Sequence, residues 1–254
     1  MNKKKSNAHQ FAFYVPGLTQ KIATLSVGDD FQFTDEALHH RLFRVVRVAV
    51  DDACVFFDRE NHVQVELFSP KSKNVVIGKI VAIEKNKQVT PNITFWLPLL
   101  KRDHFQTALY SLAELGVNQI QPIITKKVQR KWGGQKEFER CQKILIAAAE
   151  QSKQFAFPEL LEPKLLQACC DSVQNTEDKK IFFDPAGDRF ATLAPKLNNK
   201  HFILLIGPEG DLTADEKKSL LQQEFMFCAL TPTILRAVQA AAISAGIFRT
   251  FFNS

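Results

Sequence analysis

The stretch Phe202-Ile203-Leu204-Leu205-Ile206-Gly207-Pro208-Glu209-Gly210, with Thr213-Ala214-Asp215-Glu216 close behind it, decides the fold class. Five consecutive apolar residues without alternation are what a strand buried on both faces requires. A Gly-Pro turn follows, and the Thr-x-x-Glu spacing predicts a helix opening on a capping box. There a Thr hydroxyl and a Glu carboxylate accept N–H groups that the first turn leaves free. In an open α/β sheet, ligands settle beyond the carboxyl ends of such strands, and glycines there let the main chain approach them. The loop has neither the glycine spacing of a dinucleotide fingerprint nor the Lys-Ser/Thr of a P-loop, so it does not predict a phosphate cradle. Taken alone, it also reads as an ordinary strand-to-helix turn.

Downstream, residues 226–230 read as the next strand, leading through Thr231-Pro232-Thr233 into Ile234-Leu235-Arg236-Ala237-Val238-Gln239-Ala240-Ala241-Ala242. That segment predicts a helix with Arg236 in its first turns. Two successive strand ends then present loops to one sheet edge. A fixed guanidinium there suits a phosphate or a carboxylate, a surface ion pair being the other reading. The alanines allow a close approach to another backbone, as in a core or a dimer interface. Upstream, Ile181-Phe182-Phe183-Asp184 and Ile93-Thr94-Phe95-Trp96-Leu97 are further apolar runs. Between them come a helix over about 103–115, a strand over 117–124, a basic loop (Lys126, Lys127, Arg130, Lys131, with Trp132-Gly133-Gly134) and a helix over about 136–154. Asp103 is the expected N-cap of the first helix, Phe105, Leu109 and Leu112 its apolar face, and Gly116 its stop. Strands alternating with helices predict an α/β domain with a mostly parallel sheet over residues 88–254.

Residues 1–87 read differently. Arg44-Val45-Val46-Arg47-Val48, Cys54-Val55-Phe56-Phe57, Val63-Gln64-Val65-Glu66-Leu67 and residues 75–81 are short β-branched runs between Asp, Asn and Pro turns, predicting a small barrel or curled sheet. The polar segment 84–92, ending at Pro91 and Asn92, is the expected linker. The 254 residues, 45% hydrophobic and 24% charged, have the profile of a folded chain. Pro232 and Arg236 interrupt the longest apolar candidate short of the ~18 residues that a bilayer span needs, so no membrane is expected. Met1-Asn2-Lys3-Lys4-Lys5 imitates the head of a signal peptide, but the apolar run behind it is too short, and it reads as a basic tail. Five cysteines at unpaired spacings (Cys54, Cys141, Cys169, Cys170, Cys228) fit a reduced cytoplasm. His39 and His40 have no Cys or Glu at ligand spacing, so no metal is expected. The net charge of +6 permits a polyanionic partner.

Four ordered motifs resemble the RsmE family. They are Ala113-Glu114-Leu115-Gly116-Val117 with Ile120 and Pro122, Ala148-Ala149-Glu150-Gln151-Ser152 with Pro158, Ile206-Gly207-Pro208-Glu209-Gly210 with Glu216, and Ile234-Leu235-Arg236. An upstream segment from His39 to Arg47 adds to the likeness. The resemblance implies an N-terminal PUA-like β-barrel domain over 1–87 that binds RNA. It also implies a C-terminal SPOUT α/β domain with a trefoil knot over 88–254, working as a homodimer. The activity implied is S-adenosylmethionine-dependent methylation of N3 of a uridine in small-subunit ribosomal RNA, with the small ribosomal subunit as partner. Carried over position by position, Leu205, Gly207, Glu209, Gly210, Leu230, Ile234 and Leu235 are the expected cofactor-binding residues. Arg236 and Glu209 are the expected catalytic ones, although Glu209 also reads as a cap of its own loop. Arg41, Arg44, Arg47, Lys71 and Lys73 are the expected RNA-binding set, with Arg41 and Arg47 on one strand face.

The chain departs from the family pattern where Thr-Glu-Thr-Ala usually follows Leu-Arg and Ala237-Val238-Gln239-Ala240 stands instead. Thr231, Thr233, Asp211, Ser111 and Gln154 are further departures. They keep two alternatives open: a catalytically reduced RNA-binding assembly factor, and a methyltransferase acting on another RNA position.

Overall fold

The computed structural model describes residues 10–49, 52–68, 74–174, 176–197 and 200–252, and the chain divides into the units Met1–Lys87 and Gln88–Ser254. The first unit runs β1 (Phe11–Tyr14), α1 (Leu18–Lys21), β2 (Asp30–Thr34), α2 (Glu36–His40), a π-helical turn (Arg41–Val46), β3 (Ala53–Phe57), β4 (Asn61–Leu67) and β5 (Val75–Lys85). Its five strands form a mixed sheet in the order β1-β3-β4-β5-β2. β1 is parallel to β3 and the other pairs are antiparallel. Alternation along β4 turns Val63, Val65 and Leu67 into a core with Phe13, Phe31 and Phe56, where the Phe31 and Phe56 rings stack at 5.3 Å.

Two expectations fail in this unit. Residues 44–48 are not a strand. Asp35 caps α2 by accepting from Leu38 N at 2.9 Å, and the helix runs on into the π turn until Arg47 takes φ 59. The buried positions are Leu38 and Leu42, four apart, so helical spacing rather than the local β-branched content sets the period. Arg41, Arg44 and Arg47 are exposed, but they do not share a strand face. Lys71 and Lys73 lie outside the described residues. The expected linker also shortens, since β5 continues to Lys85.

The second unit runs β6 (Asn92–Pro98), α3 (Arg102–Glu114), β7 (Gln119–Ile124), α4 (Gln135–Ser152), β8 (Glu159–Leu160), β9 (Lys164–Leu165), α5 (Leu166–Ser172), β10 (Lys179–Arg189), α6 (Phe190–Leu193), β11 (His201–Ile206), α7 (Ala214–Gln222), β12 (Met226–Ala229) and α8 (Ala237–Phe252). Its seven strands form a sheet in the order β12-β10-β11-β6-β7-β8, with β9 also on β7. Every pairing is parallel, as the alternating pattern predicts. β11 shows why its apolar run need not alternate. Phe202 meets Phe248 of α8 on one face, with ring centroids 5.1 Å apart. Ile203 and Leu205 pack with Leu166 and Cys170 of α5 and Leu220 of α7 on the other.

Two helix starts also differ from expectation. Lys101, not Asp103, is the N-cap of α3. α8 begins at Ala237, so Arg236 precedes the helix instead of lying in its first turns, and the Arg236 carbonyl accepts from Ala240 N at 2.9 Å. At its other end α8 is pinned by Arg249. This guanidinium donates to Leu115 O at 3.2 Å, Gly116 O at 2.5 Å, Asn118 Oδ1 at 2.7 Å, Val89 O at 3.3 Å and Pro91 O. Burial pulls its pKa down to about 10, which leaves it charged at neutral pH.

Candidate functional site

The neighbouring strands β12, β10 and β11 end on the same side of the sheet, and each releases a loop there. Residues 183–185, 207–209, 211, 230, 231 and 233–236, with Ala237 and Ala240 of α8 and His104 of α3, wall a cavity of about 530 Å3. That size falls within the ~300–1,000 Å3 of pockets for small ligands and cofactors. It stands where α/β sheets place their ligands.

Each loop is held by identifiable bonds. After β11, the predicted capping box forms: Thr213 Oγ1 accepts from Glu216 N at 3.2 Å, and Glu216 Oε2 accepts from Thr213 N at 2.8 Å. Glu216 Oε1 also accepts from Lys126 N at 2.7 Å, tying in the loop after β7. Lys127 Nζ donates to Gly210 O at 3.0 Å and Leu212 O at 3.2 Å. Within β10, the register on β12 jumps between Phe183 and Asp188, throwing residues 184–187 outward. Gly187 permits this, because a Cβ there would stand 2.4 Å from Cys228 N.

The charges on the wall are organised rather than loose. Lys217 Nζ of α7 lies 2.6 Å from Asp184 Oδ2 and 2.9 Å from Asp211 Oδ2, both carboxylates being wall residues. Burial alone would raise the Asp184 pKa, but the Lys217 ammonium and the Ala186 N–H hold it below the usual carboxylate range. Burial alone would lower that of Lys217, but the two carboxylates raise it. Glu209 Oε1 accepts from Lys101 N at 3.1 Å and lies 3.1 Å from His104 Nδ1. Against the upward push of burial, the His104 ring, the Glu209 main-chain N–H and Lys101 N keep this carboxyl low as well. Glu209 therefore ties its loop to the start of α3, a role wider than capping its own turn.

Of the expected site residues, Gly207, Glu209, Leu230, Ile234, Leu235 and Arg236 are on the wall. Leu205 and Gly210 are not. Alternation along β11 turns Leu205 into the apolar cluster under α5 and α7. Gly210 is exposed, with its carbonyl engaged by Lys127. His104, Phe183, Asp184 and Pro185 escaped the sequence reading. Asp184 was findable, since it ends an apolar run just as Ile206 does, whereas His104 reaches the cavity only because β6 lies beside β11. Among the departures, Thr231, Thr233, Asp211 and Ala237 face the cavity, while Val238 and Gln239 do not.

The cysteines supply no nucleophile here. All five are buried, and burial pushes Cys141 and Cys170 up to about 12 and Cys169 and Cys228 up to about 11. Among the described residues, no three His, Cys, Asp or Glu side chains converge on a metal position, and no helix is long and apolar enough to cross a membrane.

The RNA methyltransferase domain family matches residues 86–249. Among curated proteins, ribosomal RNA small subunit methyltransferase E of Buchnera aphidicola (subsp. Acyrthosiphon pisum) is 24% identical over 246 residues, covering 92% of this chain and 95% of that protein. The protein of the same name from Mesomycoplasma hyopneumoniae is 27% identical over 213 residues, covering 83% and 90%. Among solved structures, that enzyme from Neisseria gonorrhoeae, bound to S-adenosyl methionine, superposes with a TM-score of 0.82 at 24% identity, covering 95% of this chain and 98% of that one.

Proposed function

The chain belongs to the RNA methyltransferase domain family, and on that footing we propose that it transfers a methyl group from S-adenosylmethionine to N3 of a uridine in small-subunit ribosomal RNA. The observation that carries this reading is the cavity beyond β12, β10 and β11. The relatives named ribosomal RNA small subunit methyltransferase E, matched over 92% and 83% of this chain, supply the substrate class.

The wall suits the cofactor. Leu230, Ile234 and Leu235 offer apolar cover for an adenine, and Gly207 leaves main chain open to polar contacts. The cofactor supplies an electrophilic methyl on a sulfonium. The chain's own part is to align the uracil nitrogen with that methyl, since displacement needs an in-line approach. Arg236, exposed at the mouth, faces the uracil carbonyl oxygens or a flanking phosphate and favours the uracil anion.

The finer architecture belongs to the same proposal. The first unit acts as a PUA-like RNA-binding barrel, with Arg41, Arg44 and Arg47 on phosphates. The loops after β11 and β12, which wall one cavity, form a trefoil knot. The small, apolar residues of α8 support a homodimer, and the enzyme works on the ribosomal particle in the cytoplasm.

Calorimetric titration with S-adenosylmethionine and S-adenosylhomocysteine, followed by mass analysis of nucleosides from small subunits lacking the modification, tests this reading. Micromolar binding and formation of N3-methyluridine are expected. Absence of both refutes it. Binding without N3-methyluridine selects a retuned or reduced enzyme, the reading that Thr231 and Ala237 on the wall favour.

A further inference from the structure

A uracil N3 carries a hydrogen and lends its lone pair to two carbonyls, so it becomes a nucleophile only as that proton leaves. A base standing in the cavity can take that proton as the methyl is approached. Asp184 is bound by Lys217 and by Ala186 N, Asp211 by Lys217 and by Leu212 N, and Glu209 by Lys101 N and the His104 ring. Arg236 is a cation. His104 remains, with its side chain 44% exposed and Nδ1 3.1 Å from Glu209 Oε1. A carboxylate held this low carries no proton, so it can only accept. In the neutral form of the imidazole, Nδ1 therefore carries the hydrogen and Nε2 the lone pair. Nε2 has no hydrogen-bond partner among the described residues. A carboxylate fixing the imidazole tautomer through Nδ1, with Nε2 left as the base, is the arrangement of hydrolase triads.

We propose that His104 takes the N3 proton of the target uracil through Nε2 and that Glu209 positions it. This rests on the methyl-transfer reading of the cavity. The N3–H bond breaks toward Nε2, and its electron pair stays on N3 and forms the bond to the methyl carbon. The carbon–sulfur pair goes to sulfur. The imidazolium, next to the Glu209 carboxylate, then passes its proton to water. The other charged groups around this ring are Lys101, Arg102 and Asp103 at the start of α3, Arg130, which donates to Leu100 O from the loop after β7, and Asp184, Asp211 and Arg236 across the cavity.

His104→Gln retains a donor for Glu209 and cannot serve as a base. It is expected to lower kcat by about 10²–10⁴-fold, to leave calorimetric affinity for S-adenosylmethionine within about threefold, and to abolish the acid limb of kcat against pH. In the cofactor-free protein, long-range 1H–15N spectra should show His104 with hydrogen on Nδ1, and Glu209→Gln should weaken that preference. A wild-type ring with hydrogen on Nε2 overturns the proposal. So does a His104→Gln enzyme that keeps its rate and acid limb, or that loses cofactor affinity in proportion to rate. A wild type that neither binds cofactor nor methylates overturns the reading of the cavity, and this assignment with it.

Discussion

Arg249→Met tests what holds the C-terminal end of the catalytic unit's last helix. The guanidinium donates to five oxygens, none of them a carboxylate, and its bonds to Pro91 O and Gly116 O are fully buried. Methionine fills most of the volume and supplies no donor. Each buried acceptor left without a partner costs about 1–3 kcal/mol, so the two deepest carbonyls set a loss of about 2–6 kcal/mol. Relief of burying a cation, visible in the depressed Arg249 pKa, offsets part of that. The expected net destabilisation is about 2–4 kcal/mol, or roughly 5–15 °C in Tm for a unit of this size. Arg249→Lys places one ammonium among oxygens spread over a fork and should recover less than half of the loss. Urea unfolding followed by circular dichroism, with the second unit's transition resolved, gives the number. A midpoint shift at constant slope is the expected form. A loss under about 0.5 kcal/mol would refute the reasoning, because it would mean that water satisfies those carbonyls at no cost.

Lys217→Met removes the ammonium shared by Asp184 and Asp211 and should cost about 2 kcal/mol at pH 7. Asp184 is depressed in the folded state, so its share is present above the unfolded value near ~3.9 and is lost as pH falls through the folded one. Lys217 is raised, so its share is present below ~10.4 and is lost as pH rises through the folded value. The gap between variant and wild type, measured by urea unfolding across pH, should therefore be widest from about pH 4 to 10 and close in acid. Arg236→Ala should lower kcat on small subunits by about 10²-fold with cofactor affinity intact. If Arg236 holds a phosphate, the slope of log affinity for RNA against log salt should also shrink by about 0.7–0.9.

Much of the second unit was readable in the sequence because parallel strands buried on both faces leave unbroken apolar runs, and the Thr213 capping box marks the next helix start. The failure over residues 44–48 comes from competition between local composition and the longer helical period. Residues 44–48 carry the β-branched content of a strand, yet Leu38 and Leu42, one helical turn apart, are the positions that find a core. The site was partly legible for a similar reason. Residues on loops after strand ends, such as Gly207, Glu209 and Arg236, could be placed by rule, and Leu205 could not, since the face of a doubly buried strand is invisible in its composition. His104 needed the strand order itself, because no local pattern in α3 announces that β6 will lie against β11.

Asp211 bears on whether departures from the family pattern mark a decaying site or a retuned one. It stands where the pattern has a glycine, and its φ of 58 explains why, since the left-handed region penalises a Cβ. Aspartate is among the residues that tolerate this region best. Here its side chain accepts from Leu212 N at 2.7 Å and meets Lys217 at 2.9 Å, so the loop gains two tethers for the freedom it loses. A decaying loop would have no reason to keep the left-handed turn or to place a matching lysine and a second aspartate, Asp184, around the substitute. Val238 and Gln239, which in sequence look like the gravest losses, lie off the cavity wall, so what they remove is not a cavity contact. The other changes that face the cavity, at Thr231, Thr233 and Ala237, are small side chains that leave it open. The open cavity, the tethered Asp211 loop and the His104–Glu209 pair on the wall weigh toward a working transferase with altered contacts rather than a bare RNA-binding remnant.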